Sequence, residues 1–494
     1  MFSSSFILSP SRLIGIGLLL AAAAARCAEI QVNAVTEQDQ ERQQVAQLAS
    51  GNLVIVWESE ADGNADIFFR LYDTEGNVLT PQWQAHDRNE QDQSHPAVAA
   101  LPNGNFVIAW SGRNLDGDSY GVGFRLFDAK GGEQGREVQA NALTKGPQFK
   151  PQVAALNERE FVVVFSAQDG GGNQDVYFRR FDFRGAAVDP TEIAANTLGA
   201  DPVTFGDQGA PRVAVLKDGG FVIVYEDRAS DDLYAVRFDA SATALRAPGE
   251  AGDNRQFRVN HSTPFQQTSP SIAALGNGGF VIAFNTETNG TAPSRRVLAR
   301  PFDRDGIGGK EFQIGTLSDR WQNPFVIGLP TGDFVVAWQA INQGLDAGNN
   351  QWSVWAQRFS IDGSPRIAPF QVNESDKDSQ NRISLAPFND SGYAAVWQSF
   401  NQDHSRYGVF ARLFLPNNEV PGRLAITRWG SLSNREFLVS FVGQAGRPHE
   451  LQAASGSNLT VWTTIYSTNT PTGAFDYLAQ GSNVAHRFFR VWSP

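Results

Sequence analysis

The chain has 494 residues, of which 41% are hydrophobic, enough for a sizeable core and too many for a disordered chain. The formal net charge of −12 argues against a nucleic acid partner, because phosphate binding needs clustered Lys and Arg. The one cysteine, Cys27, excludes a disulfide or a CxxC zinc site within the chain.

Residues 1–28 are predicted to be a secretory signal peptide. Arg12 precedes an apolar run over 13–25 that is short for a membrane span, and a polar chain begins at Glu29. Cys27 could indicate a lipoprotein, but Arg26 stands where a lipidation motif needs a small residue. No later apolar run is long enough to span a membrane, so we expect an exported protein of the periplasm, the cell surface or the extracellular medium.

Seven nearly identical apolar segments follow, with spacings of 53 to 60 residues between their closing aromatics. They are Leu53–Trp57, Phe106–Trp110, Phe161–Phe165, Phe221–Tyr225, Phe280–Phe284, Phe334–Trp338 and Tyr393–Trp397. Each is short, rich in β-branched residues and apolar throughout, which indicates a strand buried on both faces. One strand before and two after each segment give four antiparallel strands per unit. The sequence therefore predicts an all-β fold with a seven-bladed β-propeller over residues 29–420.

The two ends of the repeat array predict how the ring closes. Ile30–Asn33 reads as a fourth strand with no preceding three, whereas the last unit, ending near Phe414, lacks its fourth strand. Pairing the N-terminal strand with the last unit closes the ring and covers two sheet edges that would otherwise be open.

The repeat pattern P-x-V-A-A-L-x-x-G-x-F-V-I-A-W, then G-V-x-x-R-x-F-D and F-Q-V-N, resembles the tandem repeats of large secreted bacterial adhesin- and RTX-type proteins. This resemblance covers about residues 30–415, implies a secreted β-propeller and supplies no catalytic residues. Beyond it, residues 421–494 are predicted to form a small β-sandwich of the fibronectin-III or immunoglobulin type. The run from Gly446 to Trp462, with Arg487–Val491, resembles a fibronectin-III-like C-terminal module of secreted proteins of environmental bacteria, which implies an accessory or surface-attachment role.

A glutamine recurs where each first strand is predicted to begin, on one rim of the central channel. The seven are Gln40, Gln93, Gln148, Gln208, Gln267, Gln322 and Gln380. Such a ring could bind a ligand, and Gln93, Gln148 and Gln322 are therefore candidate ligand-binding residues. Alternatively, each amide ties neighbouring blades through backbone groups, and sevenfold repetition favours this structural role because ligand sites use a few asymmetric groups.

An arginine recurs in the third strand of most units, as in Arg70, Arg125, Arg179, Arg300 and Arg412. Its repetition predicts a structural role, as charge pairing or cation–π packing between blades.

The loops between second and third strands are acidic and rich in glycine. Their carboxylates Asp116, Asp118, Asp169 and Asp175 could chelate Ca²⁺, a hard ion that prefers six to eight oxygen ligands. None of these loops has the full spacing of an EF-hand or an RTX repeat, and the alternative is a solvated turn. No cofactor is required by any motif in the chain.

The same loops differ most between repeats, and one carries Trp352, an aromatic residue suited to stacking on a sugar ring. The leading expectation is a non-catalytic exported binding or scaffold protein that recognises a polysaccharide, or a cell-surface or extracellular protein, through one propeller face. The alternative is a carbohydrate-active hydrolase or lyase with a carboxylate pair in the propeller funnel. An enzyme should break the sevenfold pattern with unlike polar residues on one rim, whereas a scaffold should keep its rims repetitive.

Overall fold

The computed structural model describes residues 6–8, residues 29–414 with gaps, and six strands between residues 425 and 492. The gaps within 29–414 are 61–62, 88–90, 169–172, 197–206, 250–253, 262–264, 289–293, 316–320, 342–350, 376–377 and 390–391. The chain divides into two compact units, Glu29–Asn418 and a unit formed by Met1–Ala28 with Glu419–Pro494. The described residues contain no helix, and hence none that is long and apolar enough to cross a membrane.

The unit Glu29–Asn418 consists of seven four-stranded antiparallel sheets, which are numbered blades 1 to 7. The first strands are Gln40–Gln47, Gln93–Ala100, Gln148–Ala155, Gln208–Val215, Gln267–Ala274, Trp321–Gly328 and Gln380–Phe388. The second strands are Leu53–Ser59, Phe106–Arg113, Glu160–Gln168, Phe221–Asp227, Phe280–Thr288, Phe334–Ile341 and Gly392–Phe400. The third strands are Asp66–Tyr72, Tyr120–Phe127, Gln174–Asp182, Asp232–Phe238, Ser294–Phe302, Trp352–Phe359 and Tyr407–Phe414. The fourth strands of blades 1 to 6 are Trp83–Gln84, Val138–Gln139, Ile193–Ala194, Gln256–Arg258, Phe312–Gln313 and Phe370–Gln371.

The second strands form the buried centre of each blade, as their apolar sequences predict. In Phe106–Arg113 only the last residue is exposed, because strands of the same sheet flank it on both sides and neighbouring blades cover both faces. Core clusters accordingly combine side chains from adjacent blades, as where Phe161 of blade 3 packs edge to face against Phe124 of blade 2 (5.3 Å between ring centroids). The propeller core is therefore a ring of interfaces between blades.

The N-terminal strand Ile30–Gln31 supplies the fourth strand of blade 7, which confirms the predicted closure of the ring. Ile30 pairs with Ala411 and Gln31 with Phe410, and the Val32 N–H donates to the Val409 carbonyl at 2.7 Å. Val32 is fully buried among residues of blades 7 and 1. Closure thus joins the two ends of the array through backbone pairing and through core packing.

The recurring arginines of the third strands tie each blade to the one before it, which confirms their predicted structural role. Arg179 donates from Nη1 to the Ala140 carbonyl of the preceding blade at 3.1 Å, and its guanidinium lies over the ring of Phe181. The equivalent hydrogen bonds are Arg70 to Val32 at 3.0 Å, Arg300 to Val259 at 2.7 Å and Arg412 to Val372 at 2.8 Å.

The second unit contains two antiparallel sheets. One is four-stranded, in the order Phe6–Leu8, Arg487–Trp492, His449–Ser455 and Thr463–Thr468. The other is three-stranded, in the order Ala425–Leu432, Glu436–Val442 and Ala474–Gln480. This region is all-β as predicted, and its assignment as a fibronectin-III or immunoglobulin-like β-sandwich stays a prediction.

Candidate active site in the central channel

Each first strand contains a β-bulge near its start, and the residue in the bulge has a positive φ in all seven blades. In blade 2, for example, the pairing with the second strand shifts between Ser94 and Ala97. The seven residues, which we call the bulge ring, are Arg42 (φ 53°), His95 (54°), Lys150 (54°), Ala210 (49°), Ser269 (54°), Asn323 (53°) and Arg382 (51°). Left-handed backbone is uncommon for residues other than glycine, and bulges often direct side chains into functional sites.

In four blades the bulge is held by a hydrogen bond from its backbone N–H to a side chain of the preceding blade. The His95 N–H donates to Oε2 of Glu58 at 3.0 Å, and the Lys150 N–H donates to Oγ of Ser111 at 2.9 Å. The same bond is made by Ser269 to Glu226 Oε1 at 2.7 Å and by Arg382 to Gln339 Oε1 at 3.0 Å. Because the backbone makes the bulge, the side chain at this position is free to vary from blade to blade.

The bulge ring lines a cavity of about 460 Å³ in the central channel, to which all seven blades contribute. Its wall carries the cations Arg42, Lys150, Arg212 and Arg382, whereas Glu226 is the one carboxylate that the described residues contribute to the wall. Although the net charge of the chain is −12, the cavity itself is lined mainly by positive charges. Clefts that combine charges of one sign with low-dielectric walls concentrate ligands of the opposite charge.

The four cations differ in how their charge is balanced. Arg42 forms a hydrogen-bonded ion pair with the buried carboxylate of Glu58, the pKa of which burial raises. In the described part of the chain, no carboxylate forms an ion pair with Lys150, Arg212 or Arg382. Burial lowers the pKa of Lys150 and of Arg212, as expected for cations that have been partly withdrawn from water.

His95 is a neutral base among these cations. Burial, with smaller contributions from Arg42, Lys150, Arg382 and Arg212, lowers its pKa to about 3. The Nδ1 atom lies 3.1 Å from Oγ of Ser94, to which it can donate, and no described residue bonds to Nε2. A proton on Nδ1 leaves the lone pair of Nε2 available to accept a proton in the channel.

The recurring glutamines lie in the joints between blades rather than in the cavity wall. Gln148 is fully buried, accepts from Nδ2 of Asn141 in the preceding blade at 2.9 Å and donates to the Gly146 carbonyl at 2.7 Å. The same asparagine-to-glutamine bond, also 2.9 Å, joins Asn33 to Gln40, Asn196 to Gln208 and Asn373 to Gln380. Gln93 is likewise fully buried and donates to the Gln91 carbonyl at 3.2 Å.

Blade 6 differs from the others at the glutamine position. Trp321 pairs there with Ala340, as Gln148 pairs with Ala167, so Gln322 lies one residue further along the strand. The Gln322 side chain accepts from Nη1 of Arg295 at 3.0 Å. The glutamine ring thus has six members, and Gln322 belongs to a different register.

Trp352 is half-buried at the start of the third strand of blade 6, and its backbone N–H donates to Oγ of Ser379 in blade 7 at 3.4 Å. Antiparallel pairing places this point at the end of the blade where the first strands begin, which is the end with the bulge ring. The structure therefore brings Trp352 to the same face as the cavity, although Trp352 is not part of the cavity wall.

The candidate metal ligands are engaged in turns and in joints between blades. Asp116 accepts from Asn141 Nδ2 at 2.7 Å, and Asp118 accepts from the Gly146 N–H at 3.0 Å. Asp175 accepts from Asn196 Nδ2 at 2.7 Å. Asp169 lies outside the described residues, and within those described no group of three His, Cys, Asp or Glu is arranged to hold a metal ion.

The bulge ring is not among the residues predicted from the sequence. Repetition identified the glutamines, whereas the bulge ring lies two residues later at a position where the repeat loses its pattern. An available signal was the Pro that follows the bulge in five blades: Pro96, Pro151, Pro211, Pro270 and Pro324. It marks the same position in these five repeats independently of the glutamine.

No protein family and no curated protein matches the chain. Among solved structures, an ulvan lyase of polysaccharide lyase family PL25, bound to -[GlcA(1-4)Rha3S]-, is similar with a TM-score of 0.51 and 11% identity over 79% of this chain and 95% of that chain. A fungal alcohol oxidase of the AA5 family, in complex with copper, has a TM-score of 0.47 and 11% identity over 94% and 92%. The α-L-arabinanase of Penicillium chrysogenum, complexed with arabinobiose, has a TM-score of 0.43 and 11% identity over 79% and 99%.

The expectation of a non-catalytic binding or scaffold protein is corrected by these comparisons. The likeness to the ulvan lyase shows a shared fold, in a protein that is named as a polysaccharide lyase and so belongs to the class that the enzyme alternative describes. The bulge ring agrees, since it breaks the sevenfold pattern with unlike polar residues on one rim. Among the residues that the structure describes, the cavity wall does not contain the carboxylate pair of that alternative. The resemblances to adhesin- and RTX-type repeats and to a fibronectin-III module find no support here and stay expectations.

Proposed function

We propose that the protein is an exported carbohydrate-active enzyme that cleaves the glycosidic bonds of a polysaccharide at the channel cavity. The observation that carries this proposal is the bulge ring. Seven equivalent backbone positions hold Arg, His, Lys, Ala, Ser, Asn and Arg, whereas the position two residues earlier holds Gln in six blades. A purely structural position should favour one residue type, and a reaction needs unlike groups that converge on one point.

The cavity wall offers the groups that bond cleavage requires. His95 provides a neutral proton acceptor, and Lys150, Arg212 and Arg382 provide positive charge to stabilise negative charge that develops on a substrate. Hydrolysis by most glycosidases uses two carboxylates. Here the wall holds Glu226, which accepts the Ser269 N–H, and no second carboxylate from the described residues.

The proposal is tested by incubating the purified full chain with a panel of neutral and acidic polysaccharides and measuring new reducing ends. We expect cleavage of at least one polysaccharide, and loss of that cleavage in His95→Asn. Asparagine is a matched replacement because Asn323 occupies the equivalent left-handed position in blade 6. Absence of cleavage across the panel by a folded protein, or full activity of His95→Asn, would overturn the assignment of the cavity as the active site.

A further inference from the structure

The cations of the channel cavity have an unusual electrostatic setting. Lys150 and Arg212 are partly buried, and the described residues supply neither of them, nor the exposed Arg382, with a carboxylate in ion-pair contact. The charge of Glu226 in the wall acts on Lys150 and Arg212, but a single carboxylate balances only part of the charge of three cations. Withdrawing unbalanced charge from water costs free energy, which a bound anion offsets. Three cations in one cavity of about 460 Å³ can complement several negative charges of one ligand.

The ligand that fits is larger than a single small anion. The cavity is part of a channel lined by all seven blades, and the half-buried Trp352 lies on the same face. Arg212 and Arg382 present planar guanidinium groups, which match carboxylates in two-pronged contacts, and Lys150 adds a compact charge. A chain of sugars that bear carboxylates combines a polymeric shape with this charge pattern.

We infer that the polysaccharide is a polyuronate, held by Lys150, Arg212 and Arg382 through its carboxylates and cleaved by β-elimination with His95 as the base. This inference rests on the proposed function. It names the substrate class and the kind of reaction, neither of which the proposed function specifies.

The step is balanced without any oxidant, reductant or metal. Nε2 of His95 takes the proton from the carbon that bears the carboxylate. The electron pair of that C–H bond forms a carbon–carbon double bond as the neighbouring carbon loses its bond to the glycosidic oxygen. That oxygen takes a proton from water, and His95 returns its proton to the hydroxide so formed. The cations stabilise the negative charge that moves onto the carboxylate during proton removal.

The low pKa of His95 in the free protein is compatible with this role. Burial is the main cause of that low pKa, and Arg42, Lys150, Arg212 and Arg382 add to it. Among the described residues, the carboxylates nearby are Glu226 in the wall and Glu58 behind it. A bound polyuronate brings negative charge to the same cations and so offsets their part of the lowering of the His95 pKa, whereas the part due to burial stays. The negative charge of the substrate thus favours proton transfer to His95 through the cations that surround it.

The experiment compares charged and uncharged polymers. Polygalacturonate, alginate and glucuronan are incubated with the full chain beside two uncharged polymers, methyl-esterified polygalacturonate and arabinan. Reducing ends report any cleavage, and ultraviolet absorbance reports the unsaturated ends that only elimination makes. We expect equal numbers of both ends from at least one polyuronate and neither from the uncharged polymers.

The outcomes separate the inference from the proposed function. Cleavage of arabinan alone, or reducing ends without unsaturated ends, overturns the inference and leaves the proposed function standing. Cleavage of no polymer in this panel overturns the inference, and only failure on the wider polysaccharide panel overturns the proposed function as well.

The roles of Lys150, Arg382 and His95 are tested with variants that introduce a residue found at the equivalent position of another blade. Lys150→Asn and Arg382→Asn introduce the residue that blade 6 carries at the same position, Asn323, so the left-handed backbone is retained. We expect each to raise KM for the polyuronate by about tenfold and to weaken its dependence on salt. His95→Asn should lower kcat by about a hundredfold or more with little change in KM.

The matched control is Arg304→Asn, which removes a positive charge from a side chain that is 77% exposed in the turn after the third strand of blade 5, at the opposite end of the blade. It should leave KM, kcat and salt dependence unchanged. Equal effects of Arg304→Asn and Lys150→Asn would show that net charge, and not the cavity, determines binding, and would overturn the assigned roles. Melting curves confirm that each variant is folded.

Discussion

The position of His95 links the chemistry of the channel to the stability of the fold. In the unfolded chain the imidazole titrates near its ordinary pKa of 6.5, whereas in the folded protein its pKa is about 3. Between these values the unfolded chain binds a proton that the folded protein does not, so the free energy of unfolding falls as the pH falls. At about pH 4.5 the contribution of His95 to this loss is about 2–3 kcal/mol.

The variant His95→Asn should therefore lose less stability than the wild type between pH 7 and about pH 4.5, because asparagine does not titrate. Denaturant melts of both proteins at the two pH values measure this difference. The wild type itself is the control, since every other titrating group is shared. Parallel losses of stability in the two proteins would show that the His95 imidazole is protonated in the folded protein.

Gln148 allows the structural role of the glutamine position to be tested separately from the active site. Gln148→Leu removes the bonds to Asn141 Nδ2 and the Gly146 carbonyl, and should lower the free energy of unfolding by about 1–3 kcal/mol. Its kcat/KM should be unchanged. Gln134→Leu, at an exposed glutamine, is the matched control and should leave stability within about 0.5 kcal/mol. Loss of activity without loss of stability in Gln148→Leu would instead place this glutamine in the binding site.

At the scale of elements, the second strands could be predicted from the sequence because all their positions are buried and hence apolar. The closing strand could be predicted because an unpaired sheet edge at each end of the array calls for a partner. The β-bulges have only a partial signal in the sequence, the Pro that follows five of them, since they depend on hydrogen bonds between blades, such as that from His95 to Glu58, 37 residues apart. The shift in blade 6 is visible in the sequence, because Gln322 lies 16 residues before Trp338, whereas the other six glutamines lie 17 residues before the closing aromatic of their blade.

The closing strand is expected to contribute strongly to the stability of the propeller. Deleting residues 29–33 removes the buried Val32 and exposes the edge of Tyr407–Phe414, so the melting temperature should fall sharply. Val32→Ala should lower the free energy of unfolding by about 2 kcal/mol, whereas Val35→Ala, at a side chain that is 40% exposed, should change it by less than about 0.5 kcal/mol. Equal melting temperatures of the full and shortened chains would mean that the ring is held without this strand.

For the whole molecule, two positions of the repeated first strand have different roles. One position joins neighbouring blades, and the other lines the channel cavity. The buried glutamines repeat because neighbouring blades are joined by equivalent contacts all around the ring. The bulge ring varies because all seven positions face one cavity, where a reaction needs different groups. Closure by Ile30–Gln31 makes both arrangements depend on the complete ring, since the cavity wall takes residues from every blade.

The described residues of the cavity wall all lie between Arg42 and Ile383, and the closing strand and the last strand of blade 7 lie within 30–414. A chain of residues 29–418 therefore contains the whole ring, and we expect it to unfold in one cooperative transition and to cleave polysaccharide with the kcat/KM of the full chain. The matched control is a chain of residues 34–418, which lacks only the closing strand and should lose both stability and cleavage. If the 29–418 chain folds but no longer cleaves, the reaction requires groups from outside the propeller, and the channel cavity alone is not the active site.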